Sequence, residues 1–216
     1  MSPRATALRC AVDLVCLTYD ASALAVVLVT RGLRAGWRLP SAPVARGDAL
    51  PRIAARLCAA TTGHAPLWCE QAGALTDGAH PDDADVSVTF VAAMSRDAAV
   101  ARGATLRSVA RLPAKIPARQ RAGIDAAVAH LRARAGSSPA AFRLLPPAFT
   151  LGDLQQVHQT LQGRRMHTAG FRRALSASGL VHRTAAQRTN SRGRPAQLYR
   201  YAPMKKRGTP RGIRFG

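Results

Sequence analysis

Apolar positions between residues 149 and 201 follow a helical period first and a strand period afterwards. The helical period is carried by Leu151, Leu154, His158 and Leu161. Thr150 and Asp153 stand at the start of this stretch as a weak variant of a capping box, and Gly163 stands at its end as a stop. The spacing therefore predicts a capped helix that begins next to Thr150 and ends at Gly163.

A second helix is predicted after a short basic turn, and two strands are predicted after that helix. The apolar side of the second helix is carried by Phe171, Ala174 and Leu175. A short apolar run at 179–181, a polar loop at 187–195 and an alternating stretch at 198–201 complete the order. Two helices followed by two strands that flank a basic loop are typical of a winged helix-turn-helix, which suits a DNA duplex.

The first half of the chain alternates between strand-like and helix-like patterns. Strands are predicted over 8–19, 23–31, 70–75, 86–92 and 106–112, and helices over 50–61 and 121–135. Residues 32–43 are predicted to form a loop. We predict an α/β domain over 1–136, with its last helix as a connector, a winged helix domain over 137–204 and a basic disordered tail over 205–216.

Charge separates the two halves of the sequence. The chain has 32 Lys and Arg against 11 Asp and Glu, a formal net charge of +21, and no acidic residue follows Asp153. Uncompensated positive charge repels itself unless a polyanion is near, so the sequence indicates a nucleic-acid partner. A solvated basic surface is the alternative explanation.

Six arginines are the candidate DNA-binding residues, and they are Arg164, Arg165, Arg172, Arg173, Arg192 and Arg194. Arg172 and Arg173 are expected on the outer face of the second helix, in contact with a groove. Arg164 and Arg165 in the turn are expected to contact phosphates, and Arg192 and Arg194 in the wing to reach the minor groove or the backbone. Tyr199 and Tyr201 are expected to pack the wing.

The motifs LLPPAFTLGDLQ (144–155), GFRR (170–173) and GRPAQLYRY (193–201) resemble those of the Nudix-related transcriptional regulators. In the first half AVDLVCLTYD, ALAVVLVTRG, WRLPSAP, RLCAATTGH and CEQAGAL fall in the expected order. The resemblance covers about residues 9–201 and implies an α/β fold, a Nudix-like mixed-sheet α/β/α sandwich followed by a C-terminal winged helix-turn-helix domain. It also implies a homodimer on double-stranded DNA, regulation of transcription, and sensing of ADP-ribose or a related NAD metabolite.

The catalytic signature of Nudix hydrolases is incomplete in this sequence. Laid on the pattern Gly-x5-Glu-x7-Arg-Glu-U-x-Glu-Glu-x-Gly, Arg56 and Gly63 match, while Asp48 stands at the first Glu and Ala42 at the first Gly. The remaining carboxylates are replaced by Leu57, Ala60 and Thr61. Mg²⁺ needs hard anionic oxygen ligands, so we predict no catalytic residues, no metal, no cofactor and no enzymatic activity.

Two alternatives stay open from the sequence. The first is a Nudix-type nucleoside diphosphate hydrolase with displaced acids in the 77–85 loop, where Asp82, Asp83 and Asp85 cluster. The second is a protein that coats nucleic acid without sequence preference. The sequence does not identify ligand-binding residues.

Apolar segments long enough for a signal peptide or a transmembrane helix are not found, because Asp13 and Asp20 interrupt the first apolar stretch. We therefore expect a cytoplasmic protein without a membrane partner. Four cysteines lack the spacing of a metal site.

Overall fold

A computed structural model describes residues 7–20, 23–30, 36–98, 100–189 and 195–202. The strands of the first half are β1 (Cys10–Asp20), β2 (Ala23–Val29), β3 (Ser41–Pro43), β4 (Cys69–Leu75), β5 (Val86–Ala93) and β6 (Ala104–Ser108). The helices there are α1 (Leu50–Thr62) and α2 (Ala118–Arg134). The second half holds α3 (Ala140–Arg143), α4 (Leu151–Gln162), α5 (Thr168–Ser178), β7 (Val181–Arg188) and β8 (Ala196–Tyr201).

The first six strands form one mixed sheet in the order β4-β5-β1-β2-β6, with β3 paired to β1. β1 and β5 run parallel along the whole of β5, from Cys10 opposite Val86 to Leu17 opposite Ala93, and the other pairs are antiparallel. β1 is almost entirely buried because it lies in the middle of the sheet with helices on both faces.

The two faces of the sheet pack against different helices. Val12, Leu14 and Cys16 of β1 point toward α1 and its buried residues Ile53 and Cys58. The alternate residues Val15, Leu17 and Tyr19 belong to the core that includes α2. This arrangement is an α/β/α sandwich, as strand alternation requires.

The core on the α2 face continues without a break into the second half of the chain. It includes Ile124 and Leu131 of α2, then Phe142 of α3, Leu154 of α4 and Phe171 of α5. α2 ends at Arg134 and α3 begins at Ala140, on either side of the boundary predicted at 136/137. The 136/137 boundary stays a prediction, because one apolar core contains residues from both sides of it.

The structure corrects four element predictions. The predicted strand over 106–112 ends at Ser108, and Val109–Arg111 form a 3-10 turn. Part of the predicted 32–43 loop forms β3, since the main chain there pairs with β1. α2 begins at Ala118, three residues earlier than predicted, directly after Pro117. The predicted 187–195 loop begins later, because β7 extends to Arg188.

Candidate nucleic-acid interface

α4 is closed at both ends by local sequence. The Thr150 hydroxyl accepts the Asp153 backbone N–H at 3.1 Å, and the Asp153 carboxylate accepts the Thr150 N–H at 2.9 Å. Gly163 ends the helix in the left-handed conformation, with φ of 66°. The capping box and the stop therefore fix the length and the direction of α4 as the sequence predicts.

Two glutamines of α4 fix the turn that leads into α5. Gln155 donates to the Met166 carbonyl at 2.9 Å and to the Thr168 hydroxyl at 3.2 Å. Gln159 accepts the Met166 N–H at 2.8 Å. These contacts join the first turn of α5 to the middle of α4, so the two helices are held as a unit.

α5 presents one buried face and one exposed face. Phe171 and Leu175 are buried, and Phe171 packs against His158 of α4 with 5.9 Å between ring centroids. Burial lowers the pKa of His158 to about 4, so this histidine is a neutral core residue. Arg172 and Arg173 are exposed, because consecutive helical residues do not share a face.

The N-terminus of α5 is small and exposed. His167 is the N-cap, and its Nδ1 accepts the Gly170 N–H at 3.4 Å. Thr168, Ala169 and Gly170 are all exposed. A first turn with so little side-chain volume allows a groove or a phosphate to approach the backbone closely.

Arg164 and Arg165 lie in the turn between α4 and α5, and both are exposed. The Arg164 Nε donates to the Gln162 side chain at 3.2 Å. The two arginines also line an open groove of about 350 Å³ between this turn and Tyr19 of β1. They therefore lie beside the α/β/α sandwich, which the sequence does not reveal.

The β7–β8 hairpin is attached to the segment that precedes α4. Phe149 and Tyr199 exchange backbone hydrogen bonds of 2.9 and 2.8 Å. The Tyr201 ring stacks on Phe142 at 4.4 Å between centroids, and the Arg143 guanidinium lies 5.3 Å from the same ring. Both tyrosines thus pack the base of the hairpin, as expected.

The predicted wing contacts Arg192 and Arg194 lie outside the described residues. Two arginines of the described hairpin, Arg183 and Arg200, are exposed. A third, Arg188, forms a two-pronged ion pair with Asp153 at 2.9 and 3.0 Å. Sequence reasoning missed this pair, and the available signal was a lone acid in an otherwise acid-free domain.

The positions of the incomplete Nudix signature lie on and before α1. Asp48 is exposed and accepts the Ala45 N–H at 3.0 Å, so it closes the turn before the helix. Ala60 is exposed, Leu57 is partly buried, and the Thr61 hydroxyl donates to the Leu57 carbonyl at 2.6 Å. Over the described part of the chain, no group of three His, Cys, Asp or Glu is placed to hold a metal ion.

The acidic 77–85 loop is fastened by arginines from elsewhere. Arg38 forms an ion pair with Asp82 at 2.8 Å, and the Asp85 carboxylate accepts the Arg9 N–H at 2.8 Å. Buried Arg119 of α2 donates to the carbonyls of Thr76, Asp77, Ala84 and Asp85. Two of the three clustered carboxylates, those of Asp82 and Asp85, therefore already accept hydrogen bonds from other residues of the protein.

Glu70 of β4 fastens the end of the connector helix α2. Its carboxylate accepts from Arg134 at 2.8 and 3.0 Å, from His130 at 2.9 Å and from the Trp68 indole at 2.9 Å. Burial alone would raise the pKa of Glu70, but these donors lower it below its usual value. The Arg134 carbonyl in turn accepts from Ser138. The sandwich thus binds the side chain of Arg134, the last residue of α2 before the second half of the chain begins.

Within the described residues no helix is long and apolar enough to cross a membrane.

Comparison with known proteins gives matches over both halves. Residues 141–201 match the NrtR DNA-binding winged helix domain family. A stretch of 59 residues is 41% identical to the ADPR responsive transcriptional repressor NtrR of Acinetobacter baylyi, and it spans 27% of this chain and 23% of that repressor.

Solved structures extend the similarity to nearly the whole chain. Shewanella oneidensis NrtR, crystallised in complex with a 27mer DNA, is 27% identical, with a TM-score of 0.78 over 94% of this chain and 97% of that chain. A MutT/nudix family protein from Enterococcus faecalis, 16% identical, has a TM-score of 0.67 over 94% of this chain and 89% of its own, which shows the fold alone. The predicted fold, a Nudix-like sandwich followed by a winged helix domain, is confirmed.

Proposed function

This chain belongs to the Nudix-related transcriptional regulators, and from that premise we propose that it binds double-stranded DNA and regulates transcription. The observation that carries the proposal is the exposed face of α5. Arg172 and Arg173 lie opposite the buried Phe171 and Leu175, in a domain with a single acidic residue. A helix held in this way presents its cationic face to the major groove.

The six predicted contacts divide between three parts of the domain. Arg172 and Arg173 of α5 are proposed to enter the groove, and Arg164 and Arg165 of the turn to contact flanking phosphates. Arg192 and Arg194 are proposed as wing contacts on sequence grounds. With a homodimer as the binding unit, two copies of α5 would read a roughly palindromic site.

We further propose that the sandwich is a sensor and not an enzyme. At Leu57, Ala60 and Thr61 this chain has no carboxylate with which to hold Mg²⁺ against a pyrophosphate. ADP-ribose, to which the Acinetobacter baylyi repressor responds, is the first effector to test. The core shared by α2, α3 and α4 offers a physical route from the sandwich to the DNA-binding helices.

The test is duplex binding by the full chain, with operators selected from genomic fragments. We expect affinity to fall steeply with salt, and we expect Arg172→Ala and Arg173→Ala each to weaken binding by about 1–3 kcal/mol. Arg56→Ala, an exposed arginine of α1, is the matched control and should bind normally. Binding that is absent, or equal for operator and random duplex, contradicts the proposal.

ADP-ribose is added to the same assay with and without Mg²⁺. A shift of the binding curve without release of AMP supports a sensor. Release of AMP would establish a hydrolase instead. No shift, together with no ADP-ribose binding by calorimetry, would remove this metabolite as the effector while leaving DNA binding intact.

A further inference from the structure

The outer end of β7 is attached to the first turn of α4 by one side-chain pair. Arg188, the last residue of β7, directs both terminal nitrogens at the Asp153 carboxylate, at 2.9 and 3.0 Å. One of those nitrogens also lies 3.5 Å from the Thr150 hydroxyl. Two parallel N–H···O bonds fix an orientation as well as a distance, which a single contact does not.

Asp153 serves two structures with the same carboxylate. One oxygen accepts both the Thr150 N–H of the capping box and an Arg188 nitrogen, and the other oxygen accepts the second Arg188 nitrogen. Burial alone would raise the pKa of Asp153, but the bonds from Arg188 and Thr150 lower it below its usual value. The carboxylate therefore stays ionised at neutral pH.

Charge in this domain makes the pair unexpected. Residues 141–201 contain ten arginines and one acidic residue, Asp153. A negative charge beside a DNA-binding surface weakens attraction to phosphates, so it opposes binding unless it has a structural task. The single carboxylate in residues 141–201, that of Asp153, binds Arg188 of the hairpin.

The hairpin has an irregularity in its pairing, and the Arg188–Asp153 contact lies beyond it, toward the outer end. Pairing is regular from Val181 to Arg183 and resumes only at Gln187, opposite Gln197. The base of the hairpin is attached to the domain through the Phe149–Tyr199 bridge. The outer half, beyond the irregularity, is attached to α4 through Arg188.

We propose that Asp153 and Arg188 are positioning residues for DNA binding. Their ion pair holds the outer half of the hairpin against the N-terminus of α4. The hairpin and α5 then meet the duplex in a fixed relation, and the ordering cost is met before binding. This inference rests on the proposed function, because it concerns how the same surface is arranged.

Asp153→Asn separates positioning from electrostatics, because the two effects have opposite signs. Asparagine keeps an oxygen for the Thr150 N–H and leaves the Thr150 hydroxyl bond untouched, so α4 stays capped. Its amide cannot accept the second bond from Arg188. Loss of a negative charge alone would tighten binding, whereas loss of position weakens it, and we expect roughly tenfold weaker binding.

Two further variants make the test specific. Asp153→Glu keeps the charge and a preferred capping-box residue, so it should stay close to wild type. Arg188→Lys keeps the charge but loses the two-pronged geometry, and it should bind as weakly as Asp153→Asn. Arg132→Lys, at an exposed position of α2 away from the hairpin, is the matched control and should bind like wild type.

The outcomes separate this inference from the proposed function. Asp153→Asn binding equally or more tightly than wild type overturns the positioning role, and so does Arg188→Lys binding like wild type. Amide hydrogen exchange without DNA adds an independent readout. Exchange at Gln187 and Gln197 should be faster in Asp153→Asn, even if the wild type binds no duplex and the proposed function fails. Unchanged exchange there would also overturn the inference.

Discussion

Arginine is used in opposite ways in the two halves of the molecule. In the sandwich, Arg38, Arg119 and Arg134 donate to carboxylates or carbonyls of the same domain. In the winged helix domain, Arg172 and Arg173 are exposed on α5. Ten of the chain's eleven acidic residues precede residue 137, so the first half offers its arginines several carboxylate acceptors, whereas the second half offers Asp153 alone.

Total charge therefore says little about where a polyanion binds. A basic residue contributes to DNA binding through the donors that are not already used within the fold. The difference is also testable, because removing an inward arginine should affect folding, whereas changing an outward surface should affect binding.

Arg119→Ala is expected to give the largest effect on stability. Arg119 is buried and donates to four loop carbonyls, and each acceptor left without a donor costs about 1–3 kcal/mol. We expect the free energy of unfolding to fall by at least about 3 kcal/mol in urea titration, with DNA affinity of the folded fraction unchanged. Arg132→Ala, exposed on the same helix, is the control. If the two variants were equally stable, the hydrogen bonds from Arg119 to the loop carbonyls would not stabilise the fold.

Glu70 should give an intermediate effect that depends on pH. Its native pKa is lowered by its donors, so its stabilising contribution is present above the unfolded pKa near about 4.3 and is lost as pH falls through the lowered native value. We expect Glu70→Gln to cost about 1.5–3 kcal/mol at pH 7 and progressively less below pH ~4. Asp97→Asn, an exposed surface pair with Arg96, should show little change at any pH. If Glu70→Gln lost the same free energy of unfolding at every pH, the ionised Glu70 carboxylate would not be the stabilising group.

Gly170→Ala should give the smallest effect on folding and the sharpest contrast with binding. An added Cβ would lie 3.9 Å from the His167 Nδ1, an ordinary contact, and alanine favours a helix over glycine by up to about 1 kcal/mol. The melting temperature should rise slightly, while duplex affinity falls because the methyl group blocks close approach. Normal binding by Gly170→Ala would place the duplex away from this turn.

Local signals made much of the winged helix domain predictable. The capping box at Thr150, the left-handed Gly163 and the apolar face of α5 all depend on residues a few positions apart. The same is true of the strands of the sandwich with clear alternation. The three-residue β3 and the four-residue α3 are too short to leave a period, and they exist because neighbouring elements pair with or pack against them.

Contacts between distant residues were not predictable in this way. Asp153 and Arg188 are 35 positions apart, and Arg119 lies 42 residues from the Asp77 carbonyl. A pattern along the chain does not reveal that Arg119, near the start of α2, has a buried side chain. Those positions depend on the tertiary fold, as does the closeness of Arg164 and Arg165 to Tyr19.

The uninterrupted apolar interior from Ile124 through Phe142 to Phe171 has a consequence for domain exchange. Cutting the chain after α2 would remove apolar neighbours from Phe142, Leu144 and Phe149. Each fragment would then expose an apolar surface to water. A chimera that joins this winged helix domain to a foreign sensor domain must therefore include α2. Without α2, the apolar surfaces of both parts would have to be redesigned together.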